Sequence, residues 1–599
     1  MKKFIPIILS CCAVGLASCE SNLDVTPKDR LSGDSYFNDA TALEMFTNPL
    51  YNNLLPKSEY DEQSDLVIQK TLSNLMLGGS RRTVPTSGGG WSWSNLRRIN
   101  TLLGNTDKCP DQAAVAKYSA VARFFRAYFY FDKVKDFGDV PWYTTELGSA
   151  DPALYKARDS REVVMSNMLE DIDFAIANLP SKAQEKNPTF RLTKGAALAL
   201  KAEFCLYEGT YRKYHGLTFE GGHDANFYLE QAAEAAKTLM DRGEYKLYST
   251  GKPDQDYQDL FVKEVADGNE YILAISFMAA TGSLHNATGF AMTATQGRPG
   301  YTRKFVCSYL MKDGSRFTDK NGWQTMSFVD EMKDRDPRLS QSVRGLGYHR
   351  IGKTAILPAD FELSVTGYCP IKYVQNPDDN GKNVDRPDRS TCDLPVFRYA
   401  EVLLNYAEAK AELGTLTQAD LDASVNLIRA RVGMPALNMA AANANPDPYM
   451  ASAETGFPNV TGANKGVILE IRRERAIELV QEGTRIADLF RWKAGKCLDQ
   501  DLLGVYLDGP GEYDLSGNGK TDMILYANGS NKPSAGAGVN VYELDKDIFL
   551  TEGSHGYYDY HKGVKSVRYG FNEERDYLKP IPSDELGLNK NLKQNPGWK

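Results

Sequence analysis

The chain has 599 residues, 42% hydrophobic, 25% charged and 11% aromatic, which is enough to bury a large core and excludes disordered and collagen-like classes. Its 70 Lys and Arg against 78 Asp and Glu give a net charge of -8, which leaves no electrostatic case for nucleic acid as a partner. With 6 His beside 33 Tyr and 25 Phe, the composition points away from a histidine-built metal or acid–base site and toward rings that pack or stack.

In chain order, Met1, Lys2 and Lys3 give a basic start, and residues 4–16 are an apolar run too short to cross the ~30 Å of bilayer hydrocarbon as a helix. This is an export signal. It ends in Leu16-Ala17-Ser18-Cys19, small residues followed by a thiol, which resembles a bacterial lipobox. The alternative, an ordinary signal peptide with a chance cysteine, is weaker because the rare residue stands at the required place. Acylated at Cys19, a soluble body would hang from a membrane face by residues 19–40, because each buried methylene contributes ~0.8 kcal/mol. Six cysteines follow (109, 205, 307, 369, 392, 497), too widely spaced for a stapled miniprotein, with Cys369 and Cys392 the pair to test for a disulfide.

Ser87 to Trp93 (SGGGWSW) places two indoles after a glycine run and just before a helix expected from Asn95 to Leu103. The following stretches read as helix pairs. Ala113 to Phe137 is apolar nearly all round and should be sandwiched, and Arg161 to Leu179 is its partner. Thr193 to Tyr211 pairs with Phe227 to Arg242, Tyr399 to Leu413 with Gln418 to Val432, and Val467 to Gln481 with Arg485 to Trp492. A ~34-residue period with Ala, Leu and Tyr at stacking positions fits tetratricopeptide-type repeats, here irregular. The intervals 246–394 and 496–576, rich in Gly, Asp, Asn and Tyr, read as loops and short strands mounted on the helices, where binding residues usually sit. The expected fold is therefore mostly α, four irregular helix pairs forming a scaffold for a loop-rich lobe. The expected division is signal 1–18, tether 19–40, N-terminal helical region 41–245 and C-terminal region 246–599.

Other motifs are weaker. Gly347 to Thr354 satisfies the phosphate-loop pattern, but Ala355 to Pro358 cannot supply the helix that should follow. Asp514, Ser516, Asn518 and Asp522 resemble the start of a calcium loop, yet position 12 is Leu525 rather than a bidentate Glu, so an Asx-rich turn is favoured. No HExxH, GxSxG or paired CxxC occurs, and no cofactor is called for. Sugars offer CH faces to flat rings and hydroxyls to Arg and Asn. Exposed aromatics are therefore the better candidates: Trp91 or Trp93 (alternation exposes one), and Trp323, Tyr301 and Phe290 in the middle loops, with Arg81, Arg82 and Asn95 as polar partners.

The lipobox together with RFFRAYFYFDKVKDFGDVPWY (Arg123 to Tyr143), RLTKGAALALKA (Arg191 to Ala202), RDPRL (Arg335 to Leu339), RYAEVLLNYAEAKAEL (Arg398 to Leu413), RRERAIELVQEGTRIADLFRW (Arg472 to Trp492) and YLKPIP…NPGW (Tyr577 to Trp598) resembles the SusD/RagB family, in family order. The blocks themselves read as scaffold, with Glu474, Glu478 and Glu482 within ion-pair reach of Arg475, Arg485 and Arg491 at i,i+3 or i,i+4 or across the turn. The resemblance implies a surface-exposed outer-membrane lipoprotein that binds a glycan, without catalysis, and delivers it to a TonB-dependent SusC-like transporter. A RagB-like binder of peptides or glycopeptides is the alternative, and a glycan-degrading enzyme a more distant one.

Overall fold

The computed structural model describes residues 36–56, 59–381, 383–562 and 570–599. Cys19, the signal and most of the tether lie outside the described residues. Among those described, no helix is long and apolar enough to cross a membrane.

The longer helices are α1 (Ala40–Leu54), α2 (Ser94–Leu103), α3 (Gln112–Phe137), α4 (Arg161–Asn178), α5 (Lys194–His215), α6 (Ala225–Asp241), α7 (Tyr399–Leu413), α8 (Val425–Arg431), α9 (Lys465–Glu478) and α10 (Arg485–Arg491), with a short α11 (Ser583–Leu588) near the C-terminus. Their starts are chemical. Asp111 accepts from the amides of Ala113 and Ala114 at 3.0 and 3.1 Å, and Ser160, Thr193 and Asp224 cap α4, α5 and α6 in the same way. Gly138, at φ 72°, stops α3. As its composition requires, α3 is buried around most of its circumference, including Phe124, Phe125, Tyr130 and Phe131. Close approach of α5 to α6 depends on Gly209, where a Cβ would stand 2.7 Å from Leu229 Cγ. The expected helix from Gln418 to Val432 is instead split, because Ser424 leaves helical geometry (φ -137°, ψ -95°) while its hydroxyl donates to the carbonyl of Asp420 at 2.5 Å.

The strands are short and mounted on this scaffold: β1 (Val67–Ile68), β2 (Tyr271–Ile275), β3 (Gly300–Tyr301), β4 (Leu394–Arg398), β5 (Tyr506–Leu507), β6 (Gly511–Tyr513), β7 (Met523–Tyr526), β8 (Asn540–Glu543) and β9 (Gly556–Tyr557). β1 with β3, β2 with β4 and β5 with β9 are antiparallel ribbons, and β6-β7-β8 is a mixed sheet with β7 and β8 parallel. The six described cysteines are all buried and free, so Cys369 and Cys392 are not paired. Cys369 instead lies 3.3 Å from the carbonyl of Asp360, and Cys392 lies 3.5 Å from His285. A thiol reagent should therefore label none of the six until the chain is unfolded, as titration with and without denaturant would show.

The junction of scaffold and loop lobe is a buried ion network, and its pairing differs from the local helix pairs expected. Glu478, fully buried at the end of α9, accepts from Arg431 at 2.7 Å, Arg398 at 2.8 Å and Arg338 at 3.3 Å. Glu474 binds Arg338 at 3.0 Å and Arg429 at 2.7 Å, and Glu482 binds Lys372 and Arg398, both at 2.6 Å. Arg475, Arg485 and Arg491 go instead to Asp488, Asp65 and Glu408. The reason is burial: α9 is enclosed on most sides, so Glu474 and Glu478 meet arginines from other elements, while Glu470 still pairs with Arg473 inside the helix.

These surroundings set a pH dependence. Burial would raise the Glu408 carboxyl, but Arg491, Arg475 and Arg472 outweigh it and hold it at about 2; for Glu478, Arg431, Arg398 and Arg338 likewise overcome burial and hold it well below the usual range. That stabilisation is complete above the ordinary value of 4.5 and is lost as pH falls below it. Glu401 is opposite in sign: burial, helped by Glu203 and opposed by Arg475, pushes it up from 4.5 to about 8, so stability is lost as pH rises between those values. In urea denaturation Glu401 should contribute an alkaline limb, a decline of about a few kcal/mol or less between about pH 5 and 8, alongside Glu59 and Glu62, also pushed up by burial, and against His215 and His285, pushed down by it. Glu401→Gln should flatten that alkaline limb; an unchanged slope would refute the assignment.

Candidate functional site

The glycine run before the two indoles is fixed rather than loose. Gly88, Gly89 and Gly90 have φ of 73°, 57° and 92°, conformations that side-chain-bearing residues rarely adopt, and the carbonyl of Gly90 accepts from Lys133 Nζ on α3. This turn lays Trp91 and Trp93 against α3. Trp91 is buried, edge-on to Phe137 at 4.8 Å and to Trp93 at 5.3 Å. Trp93 is half-buried, beside Phe129 at 5.7 Å and Tyr143 at 5.9 Å. Trp91 is thus buried and Trp93 half-buried, where the alternation led one of the two to be expected exposed.

Tyr143 reaches this place because the chain leaves α3 at Gly138 and runs back extended. The Tyr130 hydroxyl donates to the carbonyl of Pro141 at 3.1 Å and accepts from the Tyr143 amide at 2.8 Å, and Trp142 stacks on the Tyr130 ring at 4.1 Å. The end of the chain closes the far side. Asn589 donates to the carbonyl of Lys156 at 2.9 Å and Asn591 to that of Tyr155 at 2.6 Å, which seats α11 beside the 148–156 loop. Between these elements lies a cleft of about 490 Å³ lined by Trp93, Tyr143, Leu154, Tyr155, Arg97 and Leu588, among others. Tyr155 is 49% exposed and Leu588 70% exposed, so the cleft presents an aromatic and aliphatic wall to solvent. Its polar groups include Arg97, ion-paired with Glu146 at 3.1 Å; Asn100 and Asn589; and Glu585, whose carboxyl burial and the neighbouring Asp584 push up. Apolar walls with a few convergent polar groups, at a volume within the ~300–1,000 Å³ usual for small-ligand sites, make this a binding cleft in form.

The other expected residues lie elsewhere. Trp323 is half-buried in the loop lobe, edge-on to Tyr449 at 5.6 Å, with its carbonyl accepting from Arg303 at 3.1 Å. It lines no part of the Trp93 cleft. Tyr301 and Phe290, expected as exposed loop rings, are core instead. Tyr301 is wholly buried in β3 and donates to Gln481 at 2.5 Å, and Phe290 packs 6.0 Å from Tyr60. Both sit in apolar clusters that seat the loops on the scaffold. Arg81 is exposed outside the cleft lining. Arg82 is spent on the C-terminus, paired with Asp576 at 2.9 Å and lying over Trp598. Asn95 faces Asn53 at 3.5 Å across the α1–α2 contact. Asp514, Ser516, Asn518 and Asp522 form a closed turn. Asp514 accepts from the amides of Ser516, Gly517 and Gly519, and Asp522 from those of Leu515 and Ser516, which uses the oxygens a calcium ion would need. In the phosphate-loop match, Lys353 pairs with Asp378 at 2.5 Å and a bridge between His349 and Ile356 stands where a helix would be required.

Tyr155, Leu154, Glu585 and Leu588 were not legible as site residues. Tyr143 stood inside a block read wholly as scaffold. For Tyr143 the available signal was an aromatic just past the Gly138 helix stop; Tyr155, the last residue of a short 3-10 turn that Pro152 begins, carried no such signal.

Comparison with known proteins gives a concordant result. A family model described as "SusD family" matches residues 269–598, more than half of the chain, and one described as "Starch-binding associating with outer membrane" matches 37–191. SusD-like protein P38 of Formosa agariphila is 26% identical over 392 residues, covering 63% of this chain and 66% of that protein. SusD-like protein P2 of the same organism is 22% identical over 530 residues, covering 83% and 92%. Among solved structures, a SusD-like carbohydrate binding protein from Bacteroides fragilis superposes with a TM-score of 0.65 at 21% identity, covering 93% of this chain and all of the other. A laminarin binding SusD-like protein superposes at 0.52 and 18%, covering 94% and 100%.

Proposed function

The chain belongs to the SusD family, and on that premise we propose that it is a glycan-binding protein of the outer membrane which captures oligo- or polysaccharide and passes it to a TonB-dependent, SusC-like transporter. Cys19, acylated after signal cleavage, is its anchor. The observation that carries the reading is the cleft in which Trp93, Tyr143 and Tyr155 meet, with Arg97 and Asn100 beside them. Flat rings accept the CH faces of pyranoses, the guanidinium donates to hydroxyls, and the amide donates to or accepts from them. The starch-binding description of the family model matched by residues 37–191 and the carbohydrate and laminarin binding of two structural neighbours support the same ligand class. The action is capture and handover, with no bond broken.

Two or three half-covered rings at ~25 cal/mol per Å², less the cost of ordering, give net binding of about 4 to 6 kcal/mol, or a Kd from roughly mM to tens of µM. Affinity electrophoresis of residues 20–599 through a panel of plant, host and microbial polysaccharides tests this, with peptide digests examined in parallel by calorimetry. Retardation by one glycan class without new reducing ends supports capture. No retardation by any glycan, with heat released by peptides, would transfer the protein to peptide uptake.

A further inference from the structure

A second cavity, of about 710 Å³, lies on the other side of the Thr144–Glu146 segment, at the mouth of the first helix pair. Asn100 and Thr145 belong to the walls of both cavities. The segment between them is an exposed ridge held rigidly to α2. Asn100 donates to the carbonyls of Tyr143 at 3.0 Å and Thr145 at 3.1 Å, and the Glu146 carboxylate accepts from Arg97 at 3.1 Å and Thr101 at 2.7 Å. The side-chain oxygen Oδ1 of Asn100 in turn accepts from Arg126, which Asp171 grips at 2.6 and 2.7 Å. Both cavities therefore have fixed walls and share one preformed partition.

Their chemistries are complementary. The first offers rings and aliphatic surface. The second offers hydroxyls, amides, carboxylates and guanidiniums, among them Asn105, Asn167, Glu170 and Arg123, and its wall includes Trp142, packed against Tyr130 and Arg126, and Phe174, packed against Arg123. The Nε1–H of Trp142 and the Nε–H of Arg123 are shielded from solvent on its wall with no hydrogen-bond partner, a costly condition for buried donors. Arg123 and Arg126 are opposed by Glu146, Glu170 and Asp171, so the lining carries no positive excess to draw a polyanion.

We propose that this polar cavity is a second sugar subsite, and that the two cavities together hold one neutral glycan chain laid across the Thr145–Glu146 ridge. The inference rests on the glycan reading above and adds to it. The ligand is an uncharged chain longer than a disaccharide, bound along its length, and neither a lone sugar nor a sulfated or uronate chain fills both sides.

The test is calorimetry with an oligosaccharide ladder, disaccharide to octasaccharide, cut from the neutral polysaccharide retained in the panel. Wild-type affinity should rise with length until both cavities are filled and then level off. The variant Asn167→Ala/Glu170→Ala alters only the outward face of α4, where Glu170 is exposed and Asn167 donates at 2.7 Å only to Val163 of its own helix, so folding is preserved. It should weaken the longest oligomers about 10-fold, equivalent to ~1.4 kcal/mol, and leave the disaccharide unchanged. An affinity already maximal at the disaccharide, or a double variant with wild-type binding at every length, overturns the second subsite while the glycan reading stands. Retention of charged glycans alone overturns the neutral-chain inference, and retention of none overturns the reading beneath it.

Discussion

Glu478→Ala is expected to prevent the chain from accumulating as a folded protein. Breaking a buried ion pair by removing one partner costs ~3–5 kcal/mol, because the charge left behind is uncompensated. Here one carboxylate faces Arg338, Arg398 and Arg431, each almost wholly buried, and these come from the loop lobe, the end of β4 and α8 respectively. A loss of that size is comparable with the lower end of the ~5–15 kcal/mol stability of a typical domain. Glu478→Gln keeps hydrogen-bond acceptors but not the charge, and should fold with a strongly lowered midpoint in urea. Asp241→Ala, which removes an exposed pair with Lys237 on α6, should cost ~0.5 kcal/mol or less. Comparable midpoints for the glutamine and Asp241 variants would mean that the network is a neutral ornament of the core.

The scaffold was legible because its signal is periodic. Long apolar helices, capped by Asp111, Ser160, Thr193 and Asp224 and stopped by Gly138 and Gly414, are written in local sequence, and their observed ends fall close to the expected ones. The ion pairs were misassigned for the complementary reason. The i,i+4 rule describes a helix with a solvated face, and α9 has almost none. Glu474 and Glu478 each reach arginines more than 40 positions away in sequence, information that spacing does not contain.

The site was half legible. An aromatic pair behind three glycines signals a shaped turn, and Trp91 and Trp93 are both among the residues lining the candidate cleft. Two partners could not be found in this way. Tyr155 and Leu588 lie more than 400 residues apart and meet only because Asn589 and Asn591 tie the C-terminal segment to the 155–156 backbone. Tyr301 and Phe290 failed as exposed rings because aromatic content in a loop-rich interval marks its core as readily as its surface. Loops this long need apolar clusters to hold them down, and both residues belong to such clusters.

Trp93→Ala is the substitution with the largest expected effect on binding. An indole contributes some 150–250 Å² of surface, and a sugar covering about a third of it gains ~1.5 to 2 kcal/mol at ~25 cal/mol per Å². Against a net affinity of only about 4 to 6 kcal/mol, a loss of that size weakens binding ~10- to 30-fold and takes it beyond detection in a retardation gel. The ring also packs on Phe129 and Tyr143, so part of the change is structural. Trp93→Phe, which keeps a ring in the same socket, separates the two: it should melt close to wild type and retain partial retardation, whereas alanine lowers both. Trp323→Ala is the discriminating control, because that ring stands against Tyr449 and Phe317 in the loop lobe and lines no wall of the cleft. If Trp93→Ala abolishes retardation and Trp323→Ala does not, capture occurs in the cleft. If the effects are reversed, the glycan lies on the loop lobe instead, and the cleft beside α11 must serve another purpose.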